Sequence, residues 1–284
     1  MPLAPYDELL ADARDRNYAV GAFNIFALEF LPAILEAAEE EKSPVLLQIA
    51  PLHFHMADLN PYVTYVKSQI AKTKVPVGLN MDHGKEVRLI YQALQAGFPS
   101  VMFDGSRFPY EKNLALTKRV VDICRSLGIT VEAELGNLND EGVHITNVNK
   151  KDFFTSPDEA AEFVAETGVD ALAVAVGNAH GIYKIEPKLD FELLENIAKK
   201  VPVPLVLHGG SGIPDADFKK AIELGICKIN IFTEMSSAAR EKMKELLNPG
   251  HNPVDYVTAL YETRQAVKNV VRHRIGIFGS QNKA

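Results

Sequence analysis

Eight short runs of apolar and β-branched residues recur along the chain, and longer stretches with helical spacing lie between and after them. The runs are Ala19–Phe23, Val45–Ile49, Val75–Leu79, Ser100–Phe103, Thr130–Glu134, Ala171–Val176, Leu205–His208 and Lys228–Ile231. The helical stretches are Leu28–Glu40, Glu86–Ala96, Asn113–Leu127, Pro157–Thr167, Phe191–Lys199 and Asp215–Leu224, with Glu234–Leu247 and Pro253–Ile277 after the eighth run. A strand followed by a helix pairs in parallel with the next strand, because the helix carries the chain back over the sheet. Parallel strands covered by helices read as nearly continuous apolar runs, as these do. Periodicity alone leaves two architectures open, a closed (β/α)8 barrel and an open doubly wound sheet. No Gly-x-Gly-x-x-Gly follows the first run, which counts against a dinucleotide-binding open sheet.

The totals narrow the function. A chain of 284 residues, 47% hydrophobic, fits one barrel domain with a C-terminal helical extension, since such barrels take about 250 residues. A formal charge of −7 argues against a nucleic-acid binder, which needs a basic face. The two cysteines, Cys124 and Cys227, stand in apolar stretches and read as free buried thiols. No basic segment followed by an apolar run opens the chain, and no apolar stretch approaches the roughly 18 residues of a membrane span. A cytoplasmic protein is expected. The polar segment Gly136–Asp152 reads as a mobile loop over the active site.

Position carries the chemistry. Asn24, Asp82, His83, Asp104, Glu134, His180, His208 and Asn230 stand at or just beyond the ends of different runs. In a (β/α)8 TIM barrel all strands point one way, so these residues converge on the face where such barrels carry their sites. His83, His180 and His208 are each followed by glycine, and three imidazoles meet the need of a catalytic zinc for three ligands and one open position. Gly209, Gly210 and Ser211 follow run seven, and Asn230 to Thr233 follow run eight, where barrel phosphate sites form. Gly181 and Lys184 are placed to close the other side. Asp82 precedes a metal-ligand candidate and suits proton transfer, while Asp104 and Glu134 suit orienting histidines or holding a second cation.

These residues fall in motifs that resemble a known family. Asp82-His83-Gly84, Phe103-Asp104-Gly105-Ser106, Glu132-Ala133-Glu134-Leu135-Gly136, His180-Gly181 and His208-Gly209-Gly210-Ser211-Gly212 occur in its order and spacing. The chain resembles the class II, zinc-dependent ketose-bisphosphate aldolases, the fructose- and tagatose-bisphosphate enzymes, from Gly21 to Ser280. The resemblance implies a zinc held by His83, His180 and His208, and proton transfer by Asp82 at the aldehyde half. It implies dihydroxyacetone phosphate held by Gly181, Gly209, Ser211, Asn230 and Thr233. It puts Asp104 and Glu134 near an alternative divalent or monovalent cation. A carboxylate of the long loop, Asp140 or Glu141, is the candidate for proton abstraction. A homo-oligomer is expected, with Tyr256–Ile277 offering apolar surface.

Three departures concern the substrate. His53 and His55 follow run two where the family commonly has a small hydroxyl residue; they read as loop surface, with contact to substrate the alternative. Phe232 is bulky, and Ser236 stands where a basic residue commonly holds the distal phosphate, with Arg240 one turn on as a substitute. A ketose without that phosphate is therefore an alternative substrate. A lysine Schiff base is the other route to an aldolase, and no lysine is expected at a strand centre. A zinc hydrolase and a non-catalytic phosphosugar binder are the rival readings. The glycine-rich loop argues against the first and intact Asp82 against the second.

Overall fold

The computed structural model describes residues 3–25, 27–55, 58–136, 153–181, 187–248 and 254–284. Its strands are β1 (Val20–Asn24), β2 (Val45–Ile49), β3 (Val77–Gly84), β4 (Ser100–Phe103), β5 (Thr130–Leu135), β6 (Ala171–Val174), β7 (Leu205–Leu207) and β8 (Ile226–Ile231). They pair in parallel in chain order, and β8 closes on β1, with Val20 opposite Lys228 and Phe23 opposite Ile231. That last pairing decides between the two architectures the sequence left open. The fold is a (β/α)8 barrel.

The helices are α1 (Tyr6–Asp15), α2 (Phe30–Glu40), α3 (Leu59–Ile70), α4 (Val87–Ala96), α5 (Tyr110–Arg125), α6 (Pro157–Thr167), α7 (Phe191–Lys200), α8 (Asp215–Glu223), α9 (Thr233–Leu246) and α10 (Tyr256–Phe278). Side chains of Ser156, Asp190 and Asp255 accept hydrogen bonds from first-turn amides and fix the starts of α6, α7 and α10. Helices α1 and α3 lie where the sequence reading set none. Their signals are short but real: Tyr6, Leu9, Leu10 and Ala13 share one face of α1, and Val63, Val66 and Ile70 one face of α3. Helix α10 packs on α2, α8, α9 and β1, and the Ala19 amide donates to the Phe278 carbonyl at 3.0 Å. Among the described residues, no helix is long and apolar enough to cross a membrane.

Strand residues alternate between two cores. Val45, Leu47, Leu79, Val101, Phe103, Leu172 and Ile229 face the helices. Val20, Ala22, Leu46, Ala171, Ala173 and Val206 face the axis and pack with Tyr6, Leu9, Leu10 and Ala13 of α1. Small axial residues make room for α1, which closes one end of the barrel. Gly78 is part of that fit: a Cβ there would lie 2.5 Å from Leu46 Cδ2 and 2.9 Å from Leu9 Cδ1. Gly78→Ala is expected to lower unfolding free energy by about 1–3 kcal/mol through overpacking, read by denaturant titration.

Cys124 and Cys227 are buried thiols, as expected, and burial pushes each from an ordinary value near 9 up to about 11. The folded state then holds these protons more tightly than the unfolded chain. Their contribution to stability is complete below about pH 9 and is lost as pH rises through about 11. A disulfide reagent at pH 8 is expected to label neither thiol until the protein is unfolded.

Candidate active site and metal centre

The polar residues of the barrel gather at the end of the strands opposite α1. Asn24, Gln48, Asp82, Glu134 and Asn230 lie on β1, β2, β3, β5 and β8, while Asp104 and His208 follow β4 and β7 directly; all are buried. Each occupies a position where the two-residue period aims the side chain at the axis. The strands thus alternate between apolar and polar more than their overall hydrophobicity conveys.

His83 breaks the alternation. The β3–β4 register shifts between Met81 and Gly84, and His83 adopts φ of 48°. This left-handed residue, with the irregular pairing around it, lets Asp82 and His83 serve the same mouth although they are adjacent in sequence. His83 Nε2 then lies 3.0 Å from His208 Nδ1. The His83 ring centroid is 4.7 Å from those of both His180 and His208.

Potential ligand atoms of His83, His180 and His208 all lie within 4.8 Å of one another, and so do those of His83, Asp104 and Glu134. The donor chemistry fits a divalent transition metal at the first cluster. Glu134 Oε2 adds a fit test: it is a buried carboxylate oxygen without a hydrogen-bond partner, 3.9 Å from His83 Nδ1 and 3.7 Å from His208 Nδ1. A cation between these groups satisfies it.

Carboxylates hold two of the imidazoles from behind. Asp104 Oδ2 lies 3.1 Å from His83 Nδ1, and its other oxygen accepts from the Ser106 amide at 3.2 Å and hydroxyl at 2.7 Å. Glu132 Oε1 lies 2.7 Å from His208 Nε2. Asp82 accepts from three amide side chains: Asn24 Nδ2 at 2.9 Å, Gln48 Nε2 at 3.1 Å and Asn230 Nδ2 at 3.2 Å. Burial works against the Asp82 charge, but the neighbouring His83 and Lys228 charges and the Asn24 bond hold its pKa below the usual range. Burial also opposes charge on His83, and Asp82, Asp104 and Glu134 outweigh it to raise His83 to about 10. Burial drives His208 down to about 4, helped by its charged neighbours His83 and Lys228. Burial, with Asp104 close by, lifts Glu134 well above the carboxylate range. Proton and metal therefore compete for His83, because imidazole binds metal when neutral.

Above the histidines opens a cavity of about 610 Å³. Its lining includes Asn24, Asp82, His83, His180, Gly181, Gly209, Ser211, Asn230 and Thr233, all anticipated from sequence. Gly209, at φ of 62°, packs so closely that an added Cβ would meet the Ala179 carbonyl oxygen at 2.0 Å. Glycine there keeps the loop after β7 against the His180 backbone. Asn178 Nδ2 adds a 3.0 Å bond to the His208 carbonyl. Ser211 Oγ accepts from the Glu234 amide at 3.1 Å, tying the same loop to the start of α9.

Several expectations change. Gly210 is not in the lining, and its amide is turned to the Asn230 carbonyl at 3.3 Å. Arg240 is exposed, bonds Glu241 and does not reach the cavity. His53 is no plain loop-surface residue: it lines the cavity, with its ring centroid 5.6 Å from that of Phe232. His55 is not in the lining. Lys228 overturns the expectation that no lysine stands at a strand centre. Strand β8 starts two residues earlier than read, at Ile226, so Lys228 is internal, fully buried and paired with Glu132 at 2.6 Å. Lys184, Asp140 and Glu141 lie outside the described residues. Gln48, Glu132 and Lys228 join the site unannounced; Glu132 and Lys228 stand two residues before the inward-facing Glu134 and Asn230, and the strand period turns them inward too.

Relatives match this architecture throughout. The family model described as "Fructose-bisphosphate aldolase class-II" matches residues 4–283. A probable fructose-bisphosphate aldolase of Bacillus subtilis (strain 168) is 42% identical over 287 residues, covering 100% of both sequences. A fructose-bisphosphate aldolase of Staphylococcus aureus (strain Mu50 / ATCC 700699) is 40% identical, again over 100% of both. Among solved structures, the YdjI aldolase of Escherichia coli K12 is 41% identical with a TM-score of 0.89, covering 99% of each chain. That family is generally metal-dependent, in keeping with the two donor clusters at the barrel mouth. On a match that spans nearly every residue, the chain belongs to the class II fructose-bisphosphate aldolase family and is by that membership a lyase, an aldolase.

Proposed function

We propose that the protein catalyses reversible, zinc-dependent aldol cleavage of a ketose 1,6-bisphosphate, of the fructose or tagatose series, to dihydroxyacetone phosphate and glyceraldehyde 3-phosphate. The observation that carries this reading is a cluster of three imidazoles, two of which line the cavity beside Asp82 and a glycine- and hydroxyl-rich loop while His208 lies buried behind them. His83, His180 and His208 hold the zinc. Bound there, it supplies Lewis-acid stabilisation for the negative charge that carbon–carbon cleavage leaves on the ketone fragment.

The chain's own groups do the rest. Asp82 accepts the proton of the hydroxyl that becomes the aldehyde; its three amide partners aim it, and the nearby His83 charge favours its ionised form. Gly181, Gly209, Ser211 and Thr233 surround the phosphate of the ketone fragment, and the first turn of α9 adds the positive end of a helix. Asn24 and Asn230 line the cavity through the same amides that grip Asp82, so substrate contact and proton transfer are coupled there. Asp104 orients His83, and with Glu134 it offers a place for a second cation.

A second reading keeps this chemistry and removes the distal phosphate. It is favoured by the apolar part of the lining, which includes Ala50, Pro51, Leu52, Leu89 and Phe232. Among the described residues, Lys85 is the one lysine or arginine in the lining. A substrate with an uncharged aldehyde half suits such a lining.

Triose-phosphate release from fructose 1,6-bisphosphate, tagatose 1,6-bisphosphate and a ketose 1-phosphate, each with and without a chelator, separates the readings. Chelator-sensitive cleavage of a bisphosphate is expected, whereas cleavage of the 1-phosphate alone would select the second reading. No cleavage of any by zinc-loaded protein would reject both. If Lys85 meets the distal phosphate, Lys85→Ala raises KM for the bisphosphate about tenfold, the loss of one charged hydrogen bond, and leaves the 1-phosphate unaffected.

A further inference from the structure

Beneath the histidine cluster, four elements meet on one buried carboxylate. Glu132 on β5 turns Oε1 to His208 Nε2 at 2.7 Å and Oε2 to Lys228 Nζ of β8 at 2.6 Å. The Tyr6 hydroxyl of α1 donates to the same Oε2, and Lys228 Nζ stands 5.7 Å from the centre of the Tyr6 ring. The side chains of His208, Glu132 and Lys228 have no exposed surface. Across the sheet Glu132 pairs with Ala171, and Lys228 pairs with Val20 and Val206, all apolar and buried. Charges in such a place cost several kcal/mol of desolvation each, and well-packed apolar residues often serve stability as well or better. Stability is thus a poor reason for this arrangement.

Tautomer control is a better one. A carboxylate against Nε2 keeps the proton on that nitrogen, which leaves the Nδ1 lone pair for the cluster, where it lies 3.0 Å from His83 Nε2. His83 is held the opposite way round, with Asp104 against Nδ1 and Nε2 presented. Asp104 is fixed locally by Ser106. Glu132 is held from afar among the described residues: its second oxygen is fixed by Lys228 and Tyr6. We propose that Lys228 and Tyr6 are positioning residues of the metal centre: by gripping Glu132 Oε2 they lock its carboxylate against His208, so that His208 offers Nδ1 to the metal. The first helix of the chain is then a functional part of a centre on the far side of the barrel interior.

The proposal rests on the histidine cluster being a zinc site, and the test separates the two. Zinc affinity of purified full-length protein is measured by competition with a chromophoric chelator, alongside thermal melting and 15N shifts of the His208 ring. Tyr6→Phe keeps the ring and removes the hydroxyl; Lys228→Met keeps the length and removes the charge. Each is expected to weaken zinc binding about tenfold or more, the effect typical of losing a partner behind a ligand. Lys228→Arg, which retains a donor, is expected to recover part of it. The Nε2–H signature of His208 is expected to give way to mixed tautomers in Lys228→Met. Zinc affinity within twofold of the parent in folded Tyr6→Phe and Lys228→Met would overturn the proposal while leaving the proposed function intact. Should Lys228→Met fail to fold, Tyr6→Phe decides alone. A parent protein that binds no zinc would overturn both.

Discussion

The pairing of β8 with β1 is the constraint on which everything else depends. Closure removes both sheet edges and gives every strand one face toward helices and one toward the axis. Eight parallel strands then end on one rim, so the polar residues at their ends share a single mouth. Residues far apart in sequence meet there, as with Asn24, Gln48 and Asn230 on the two oxygens of Asp82. An open sheet of the same strands would leave β1 and β8 at opposite edges, with Asn230 and Asn24 out of common reach.

The axis is layered by chemistry. At one end, α1 fills space left by Ala22, Ala171, Ala173 and Gly78 with Leu9, Leu10 and Tyr6. At the other end, carboxylates and imidazoles face one another, as Asp104 does His83 and Glu132 does His208. Lys228, Glu132 and Tyr6 occupy the boundary between these layers. Their charge is neutralised within the group, and their hydrogen bonds point upward to His208 and downward to α1. Desolvation makes any unpaired member expensive, so the polar layer is organised as a connected network.

The rim combines this rigid floor with loops. Gly209 brings the loop after β7 against the loop that carries His180, and Asn178 reinforces the junction. Ser211 links the same loop to α9. On α10, Arg274 bonds Asp215 at 2.6 Å and Glu234 at 2.8 Å, so it ties together the starts of the two helices that follow β7 and β8. The cavity lining also holds His53 and Phe232, whose rings meet at a tilt, and the apolar Leu52 and Leu89.

Strand and helix positions were legible because short-range rules set them: β-branched runs, helical spacing, and eight returns of one pattern. The histidine triad and Asp82 were legible because each stands at the end of a run, and the family motifs marked them again. Helices α1 and α3 were missed because each shows only one short apolar face. What the sequence alone determined was the order of elements and the residues at their ends, since local propensity and hydrophobic period act within a few neighbours. Tertiary structure decided the rest. Closure came from a pairing of β8 with β1 that spans the chain. The irregular β3–β4 pairing gave His83 its direction, and the inward faces of β2, β5 and β8 gave Gln48, Glu132 and Lys228 their partners. The side-chain contacts of Gln48, Glu132 and Lys228 join residues 34 to 126 positions apart, and no local rule acts over that distance.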